Sequence, residues 1–474
     1  MRSIISSNIS TMALIKSISG IRGTIGGKAG DNLTPIDIIQ FTTAFVMFLR
    51  KDDSQKKLTL IVGRDARISG DKINHLVCST LQFMGVDVVD LGLSTTPTVE
   101  MAVIQQHADA GIIITASHNP MQWNALKLLN SKGEFISGAE GKELLEIIDK
   151  QDFTYADIQH LGSYKLYENA IQDHVEAILK LPLVDAKAIA AADLSVIVDC
   201  VNSTGGIALK PLLEKLGVHK VKFLYGEPTG IFPHNPEPIP EHLSEISNEM
   251  KRHNYDVGFV VDPDVDRLAI VKEDGEMFVE EYTLVAVADY ILQHTKGNTV
   301  SNLSSTRALR DISWKHGVEY NASAVGEVNV VAKMKDTNAV IGGEGNGGVI
   351  YPELHYGRDA LVGIALFLSY MATSKKSCSE IRLQYPAYFI SKNKIELQPS
   401  MNVKHILDSI AEAYKQYEVN RIDGVKIDFD NGWVHLRTSN TEPIIRIYAE
   451  AGTEAQADHL AQKIIMDIRE AMKG

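Results

Sequence analysis

The chain has 474 residues, 45% of them hydrophobic and 23% charged, and 47 basic against 60 acidic residues give a net charge of −13. This length is too great for one core and predicts about three domains, while the composition excludes a disordered or fibrous protein. The excess of acidic residues argues against a surface that binds nucleic acids or anionic membranes in general, since proteins bind both by neutralising phosphate charges with basic residues. An anionic small substrate remains compatible if basic groups are concentrated locally.

Three further features bear on the cellular compartment. The longest apolar stretch, 360–372, is interrupted by Ser369 and is shorter than the ~20 residues that a bilayer requires. Residues 1–11 lack the apolar core of a secretory signal. Three widely spaced cysteines without metal-ligand spacing favour a reducing environment; they are Cys78, Cys200 and Cys378. We therefore expect a soluble cytoplasmic protein.

Short β-branched runs recur along the chain, each followed by a polar or glycine-rich loop. The runs are 58–62, 111–114, 194–198, 255–261 and 339–341. Because they are continuous rather than alternating in apolar character, they predict strands buried on both faces, and their alternation with helical patterns predicts an α/β fold. In such sheets ligands bind beyond the carboxyl ends of the strands, where these loops lie.

The first informative loop, residues 115–120, follows the strand predicted at 111–114 and contains Ser117. It lacks the Gly-x-Ser-x-Gly elbow of serine hydrolases. His118 is adjacent, but in an extended segment neighbouring side chains turn apart, so we do not expect a simple Ser–His dyad. Ser117 is therefore a candidate phosphoryl carrier, with an incidental serine in an Asn-Pro turn as the alternative.

Residues 262–266 read Asp-Pro-Asp-Val-Asp and follow the strand predicted at 255–261. In an extended chain, side chains two residues apart point to the same side, so the three carboxylates would lie together. Their mutual repulsion favours a bound cation. Oxygen ligands select a hard ion such as Mg²⁺. An EF-hand loop is excluded because Arg267 occupies the position that needs glycine. The candidate ligands, with a solvated acidic turn as the alternative, are Asp262, Asp264 and Asp266.

Residues 343–348, Gly-Glu-Gly-Asn-Gly-Gly, lack the lysine of a Walker loop. Glu344 and Asn346 offer the acceptor and the amide that sugar hydroxyls require, while a plain strand-to-helix turn is the alternative. Upstream, five prolines within 226–242 predict an ordered connector rather than a helix or a central strand.

The last ~90 residues are predicted to form a small α+β domain, with a hairpin over 425–437, a strand at 444–449 and a closing amphipathic helix. The loop after the hairpin offers a guanidinium, two hydroxyls and an amide, which suit a phosphate monoester. Its candidate residues, with a solvated turn as the alternative, are Arg437, Ser439, Asn440 and Thr441. Arg22 and Lys127 are further candidate cations.

Together, and in this order, these motifs closely resemble the α-D-phosphohexomutase family over residues 14 to 474. The resemblance implies three similar α/β domains with mixed sheets and a mobile C-terminal α+β domain around a central cleft. The expected boundaries are 12–155 (phosphoserine loop), 156–275 (metal-binding loop), 276–384 (sugar-binding loop) and 385–474 (phosphate-binding loop).

The resemblance also implies a role for each motif. Ser117 would be phosphorylated, and its phosphate would hold Mg²⁺ together with the three aspartates. The cations near the transferring phosphoryl would be Arg22, Lys127 and Arg267, with His118 as a further catalytic candidate. Glu344, with Asn346, would bind sugar hydroxyls, and the four residues of the 437–441 loop would hold the distal phosphate.

The implied reaction interconverts glucosamine 6-phosphate and glucosamine 1-phosphate through a bisphosphate, which turns end for end and also serves as activator. The Gly345-Asn346 loop resembles a branch of the family associated with phosphoglucosamine, and an acidic Glu327 near carbon 2 would favour an ammonium. Mannose or glucose phosphates are the alternative substrates. Asn346 and Gly348 replace the Ser and His of many members, and Ala125 replaces a Gly. A metal-dependent phosphatase and a non-catalytic sugar-phosphate binder are the other functional classes.

Overall fold

A computed structural model describes residues 14–17, 20–398, 402–438 and 444–471.

The first sheet has seven strands, and the helices that cover it come from the same part of the chain. The strands are β1 (Ile15–Ser17), β2 (Gly20–Thr24), β3 (Leu58–Arg64), β4 (Val86–Leu93), β5 (Ala110–Ile114), β6 (Trp123–Leu129) and β7 (Tyr164–Leu166). The helices are α1 (Pro35–Leu49), α2 (Gly70–Phe83), α3 (Thr96–Gln105) and α4 (Gly138–Lys150). The order is β1-β2-β6-β5-β3-β4-β7, and the sheet is mixed, with β3 parallel to β4 and β5, and β6 antiparallel to β5.

The second sheet has four strands in the order β11-β10-β8-β9. They are β8 (Ser195–Asp199), β9 (Lys220–Leu224), β10 (Val257–Val261) and β11 (Leu268–Lys272). The accompanying helices are α5 (Ala170–Leu179), α6 (Ala186–Ala192), α7 (Gly205–Lys215) and α8 (Ser244–Arg252). The proline-rich connector 226–242 contains one short 3₁₀ turn, Pro240–His242, and no strand.

The third sheet has the order β13-β12-β14-β15. Its strands are β12 (Thr299–Asn302), β13 (Tyr320–Ser323), β14 (Ile341–Glu344) and β15 (Gly348–Ile350). Its helices are α9 (Glu281–His294), α10 (Ala308–Lys315), α11 (Glu327–Asp336), α12 (Ala360–Ser374) and α13 (Cys378–Arg382). Helix α12 contains the long apolar stretch; it is buried from residue 360 to 371 in a core shared with the second sheet, which explains its uniform hydrophobicity.

The fourth sheet is antiparallel in the order β16-β20-β19-β18-β17. Its elements are β16 (Phe389–Glu396), β17 (Glu418–Asn420), β18 (Val425–Phe429), β19 (Gly432–Thr438), β20 (Ile444–Ala451), α14 (Val403–Ala413) and α15 (Glu454–Ala471). Both helices pack against one face of the sheet and enclose a separate small core. None of the helices among the described residues is long and apolar enough to cross a membrane.

Three α/β domains with mixed sheets and a C-terminal α+β domain confirm the predicted fold class. Strand β7 pairs with β4 of the first sheet, beyond residue 155 where we expect the first domain to end; the boundaries themselves stay a prediction. Strand β14 begins two residues later than predicted and extends to Glu344. The three cysteines are buried and unpaired, as their spacing predicts.

Candidate active site

The aspartate loop connects β10 to the antiparallel β11. It is a tight turn rather than an extended segment, because Val265 has a left-handed φ of 62° and the hydroxyls of Ser203 and Thr204 donate to the Pro263 carbonyl. The prediction that an extended chain brings the three carboxylates to one side is therefore wrong, although the three carboxylates do lie together. Carboxylate oxygens of all three aspartates lie within 4.8 Å of one another, and the three side chains are fully buried.

The aspartate loop fits a hard cation. Oδ1 of Asp264 and Oδ1 of Asp266 are buried without a hydrogen-bond partner among the described residues. Asp262 is held from behind, because its Oδ1 accepts hydrogen bonds from the backbone N–H groups of residues 266 and 267. Burial and the neighbouring carboxylates raise the pKa of Asp262. Buried oxygens without donors are what an Mg²⁺ ion requires.

Ser117 lies directly above this triplet, after the buried strand β5. Its hydroxyl donates to Oδ2 of Asp262 at 2.7 Å, and its side chain is buried. The residue has a left-handed φ of 48°, and its N–H donates to Oγ1 of Thr115. Because the loop is not extended here, Nδ1 of His118 lies 3.3 Å from the serine oxygen. The expectation that these two side chains turn apart is therefore wrong.

Three of the four candidate cations surround the serine and the triplet. Lys127 Nζ lies 2.8 Å from Asp264 Oδ2 and 3.5 Å from Asp266 Oδ2, and these carboxylates raise the lysine pKa against the effect of burial. Arg267 Nε lies 4.0 Å from Asp266 Oδ1. Arg22 donates to Oδ1 of Asn119 at 3.0 Å, in the serine loop. Burial and, after it, the nearby Arg267 lower the pKa of Arg22.

The predicted sugar loop is a hairpin between β14 and β15, not a turn into a helix. Gly347 has a φ of 87°, and a Cβ there would lie 2.4 Å from the Leu268 carbonyl oxygen, so the loop contacts the strand that follows the aspartates. Glu344 Oε1 accepts from Asn302 at 2.8 Å and from the Gly326 N–H at 3.1 Å. Its Oε2 accepts from Asn346 at 3.4 Å.

Arg358 joins the sugar loop to the aspartate loop. Its guanidinium donates to Asp266 at 2.7 Å, to Glu344 at 2.9 Å and to Glu327 at 3.0 Å, and it is buried. Its backbone N–H also donates to Glu327 at 3.0 Å, so both oxygens of Glu327 are occupied. The three carboxylates raise the pKa of Arg358 although burial opposes this, and the same cation outweighs burial to lower the pKa of Glu344.

Arg437 of the fourth domain lies near the end of β19. Its Nη1 lies 3.4 Å from Asp423 Oδ2, which also accepts from the Val325 N–H of the third domain. The three remaining residues of this predicted phosphate loop lie outside the described residues; they are Ser439, Asn440 and Thr441.

Models of all four phosphoglucomutase/phosphomannomutase domains match the chain in order: domain I over 14–155, domain II over 172–275, domain III over 280–388 and the C-terminal domain over 397–466. A phosphoglucomutase/phosphomannomutase of Thermococcus kodakarensis is 35% identical over 458 residues, which cover 95% of this chain and 99% of the relative. The chain belongs to the phosphoglucomutase/phosphomannomutase family. The resemblance to phosphohexomutases is thereby confirmed.

Relatives within this family carry different names. A "probable phosphoglucosamine mutase" of Methanopyrus kandleri is 31% identical over 96% of this chain and 98% of its own. A phosphoglucosamine/phosphogalactosamine mutase of Sulfurisphaera tokodaii is 30% identical over 94% and 97%. Among solved structures, a family member from Burkholderia thailandensis has a TM-score of 0.82 at 27% identity, covering 99% of this chain and 98% of that one.

Two residues that organise the site of this phosphoglucomutase/phosphomannomutase family member were missed by sequence reasoning. One is Arg358. The other is Arg67, which pairs with Asp65 at 3.0 Å. It donates to three carbonyls of the serine loop, those of Ser117, Asn119 and Pro120, and to the carbonyl of Trp123 at the start of β6. The only sequence signal for Arg67 is its position just after the buried strand β3, in the run Gly-Arg-Asp-Ala-Arg.

Proposed function

We propose that the protein interconverts glucosamine 6-phosphate and glucosamine 1-phosphate, with Ser117 as the phosphoryl carrier. The observation that supports this most directly is the 2.7 Å hydrogen bond from the Ser117 hydroxyl to Asp262, within the aspartate triplet and among buried cations. Phosphoryl transfer depends mainly on positioning and on neutralising charge, and this site supplies both. The phosphate of phosphorylated Ser117 and the three aspartates would hold Mg²⁺, which supplies Lewis-acid stabilisation of phosphoryl oxygens.

The first half-reaction uses residues of the first two domains. The free hydroxyl of the sugar 6-phosphate attacks the phosphorus, and the bond between phosphorus and Ser117 Oγ breaks. The proton that the sugar hydroxyl loses is returned to the serine oxygen, so a bisphosphate and a free serine hydroxyl form. Lys127, Arg22 and Arg267 offset the charge on the transferring oxygens. Burial together with Arg267 and Arg22 lowers the pKa of His118, so this ring is neutral near pH 7 and offers a proton acceptor beside the serine.

The second half-reaction requires the bisphosphate to turn end for end, because only one transfer centre is proposed. Arg437 and the 439–441 segment would hold whichever phosphate is distal, since such contacts bind phosphate and not a particular sugar carbon. Glu344 would bind sugar hydroxyls. Its oxygens already accept four hydrogen bonds, so a hydroxyl would replace the longest of them, from Asn346 at 3.4 Å.

The names of the archaeal relatives from Methanopyrus and Sulfurisphaera support glucosamine as the sugar. One observation favours mannose or glucose phosphate as the second candidate. Glu327, the group expected to attract an ammonium, is occupied by Arg358 through both oxygens. The relative from Thermococcus kodakarensis is named phosphoglucomutase/phosphomannomutase, in agreement with this second candidate.

The test is an assay of glucosamine, mannose and glucose 6-phosphates, each with Mg²⁺ and a trace of its own bisphosphate, in which 1-phosphate and free phosphate are both measured. We expect 1-phosphate from glucosamine 6-phosphate with the largest kcat/KM. A tenfold preference for a neutral sugar, about 1.4 kcal/mol in transition-state binding, would replace glucosamine by the second candidate. Free phosphate as the main product would instead indicate a phosphatase.

A further inference from the structure

A second buried cluster of metal-ligating groups lies where the first three domains meet. It consists of His174 on α5 and of His355 and Asp359, which precede α12. One atom of each lies within 4.8 Å of the others, and all three side chains are buried. Asp359 Oδ2 is the common point, at 2.9 Å from His174 Nε2 and 3.2 Å from His355 Nε2.

A polar group lies on the other side of each ligand. His174 Nδ1 lies 3.0 Å from Thr98 Oγ1 on α3, and His355 Nδ1 lies 3.3 Å from Glu100 Oε2 on the same helix. Asp359 Oδ1 accepts from the N–H groups that begin α12. Protons on the two Nε2 atoms would donate to Asp359 Oδ2. When a metal ion replaces these protons, Nδ1 carries the proton of each ring, and two nitrogen lone pairs and a carboxylate oxygen converge on the ion.

Glu100 gives independent support. It is fully buried, and neither of its carboxylate oxygens has a hydrogen-bond partner among the described residues. A buried carboxylate without donors is costly. Its nearest ring nitrogen is Nδ1 of His355, which must carry its proton when Nε2 coordinates a metal. A carboxylate behind a ligating histidine is the usual outer partner at a metal site.

We propose that His174, His355 and Asp359 bind one divalent transition-metal ion, Zn²⁺ or an ion of similar preference. Imidazole nitrogens suit zinc, whereas the oxygen-only aspartate loop suits Mg²⁺, so the two sites select different ions. The ion has no part in phosphoryl transfer. It ties α5 of the second domain to the start of α12 in the third, with α3 of the first domain as the outer shell, and so stabilises their arrangement.

The experiment measures zinc per chain in full-length protein expressed with zinc and dialysed against millimolar Mg²⁺, which fills the hard-ion site. We expect about one zinc ion per chain in the wild type and less than about a fifth of that in His174→Gln. His234→Gln is the matched control, because His234 also pairs with an aspartate, Asp199 at 3.1 Å, but has no second histidine there. It should keep its zinc.

Two further measurements keep the outcome decisive if His174→Gln does not fold. Glu100→Gln should weaken zinc binding by about 10-fold or more, as loss of an outer partner does. In crystals of the wild type, anomalous scattering at the zinc edge should show a peak between the two histidines. Wild type without zinc, or zinc that disappears in Asp264→Asn and persists in His174→Gln, would overturn the proposal and leave a cluster that binds only protons.

Discussion

The proposed transfer centre and the proposed distal phosphate site are built in different ways. In the centre, Ser117, Lys127 and Arg358 are each at most 9% exposed and are held by ionic or hydrogen-bonded contacts of 2.7–3.0 Å. In the fourth domain, Arg437 is partly exposed, and its Nη1 lies 3.4 Å from Asp423 Oδ2. Ser117, Lys127 and Arg358 are therefore fixed by short buried contacts, whereas Arg437 has a longer ionic contact and a buried Nε without a hydrogen-bond partner among the described residues.

The contacts between the third and fourth domains agree with this difference. They include Ser304 Oγ to His435 Nδ1 at 2.8 Å and the Arg307 N–H to Glu450 at 3.0 Å. The core of the fourth domain is separate from the core that the second and third domains share. A polar interface of this kind permits relative motion. Changes in the centre should therefore lower kcat, and changes in the fourth domain should mainly raise KM.

The largest effect is expected for Ser117→Ala, because it removes the atom that carries the phosphoryl group. Turnover should fall by at least about 10³-fold, and wild-type protein, unlike the variant, should show one phosphoryl group in its intact mass. Ser94→Ala, at a buried serine whose hydroxyl lacks a hydrogen-bond partner among the described residues, is the control. Substantial mutase activity in Ser117→Ala would reject the assignment.

Asp264→Asn should come next, since it removes one charge from the cation site and weakens the partner of Lys127. We expect about a 100-fold lower kcat and a higher Mg²⁺ concentration at half-maximal rate, measured by Mg²⁺ titration. Asp274→Asn, a change of the same type on the surface, should behave as wild type. Full wild-type activity in excess chelator would exclude a metal role.

Arg358→Lys tests whether the centre depends on the single guanidinium that joins two loops. A lysine cannot donate to three carboxylates in a fixed fork, so kcat/KM should fall by about 10- to 100-fold. Arg50→Lys is the control, because Arg50 holds only backbone carbonyls far from the site. Equal kcat/KM in both variants would show that Arg358 has a structural role alone.

Arg437→Gln tests the proposed distal phosphate site of the fourth domain. If Arg437 grips the distal phosphate, KM for the sugar phosphate should rise about 10-fold while kcat changes by about twofold or less. Arg421→Gln, at an exposed arginine of the same domain, should leave both constants unchanged. A fall in kcat with unchanged KM would place Arg437 in the transfer step and would contradict the division between the two regions.

A further effect concerns stability, not turnover, at the contact between the third and fourth domains. Glu281 is buried, and burial raises its pKa from 4.5 to about 8. The folded protein therefore keeps a proton that the unfolded chain releases above pH 4.5, so Glu281 should lower stability progressively as pH rises through that window, by up to about 1.4 kcal/mol per unit.

Glu281→Gln should remove this dependence while its side-chain oxygen still accepts from the Thr306 N–H. The thermal midpoint of the variant should exceed that of the wild type at pH 8, and the difference should shrink toward pH 5. A constant difference across these pH values would show that Glu281 does not titrate in this way.

Most of the candidate site could be located from the sequence because its residues follow strands. Asp262 and Ser117 lie at the carboxyl ends of buried β-branched runs, and such runs are recognisable from local composition. The details of the loops could not be predicted in the same way. The left-handed φ of Ser117 brings the His118 ring next to the serine hydroxyl. Nothing in the local sequence requires that conformation, which the surrounding fold imposes.

The sequence by itself determined the fold class and the chemistry available at each strand end, since both follow from local patterns of apolar and polar residues. Only the tertiary structure decided how those charges are shared. Arg358 lies 92 residues from Asp266 along the chain, yet its guanidinium donates to that carboxylate. Arg67 lies 50 residues from Ser117, yet its guanidinium donates to the Ser117 carbonyl. A buried carboxylate or carbonyl accepts any correctly placed donor, so its partner is chosen by the packing of domains and not by proximity along the chain.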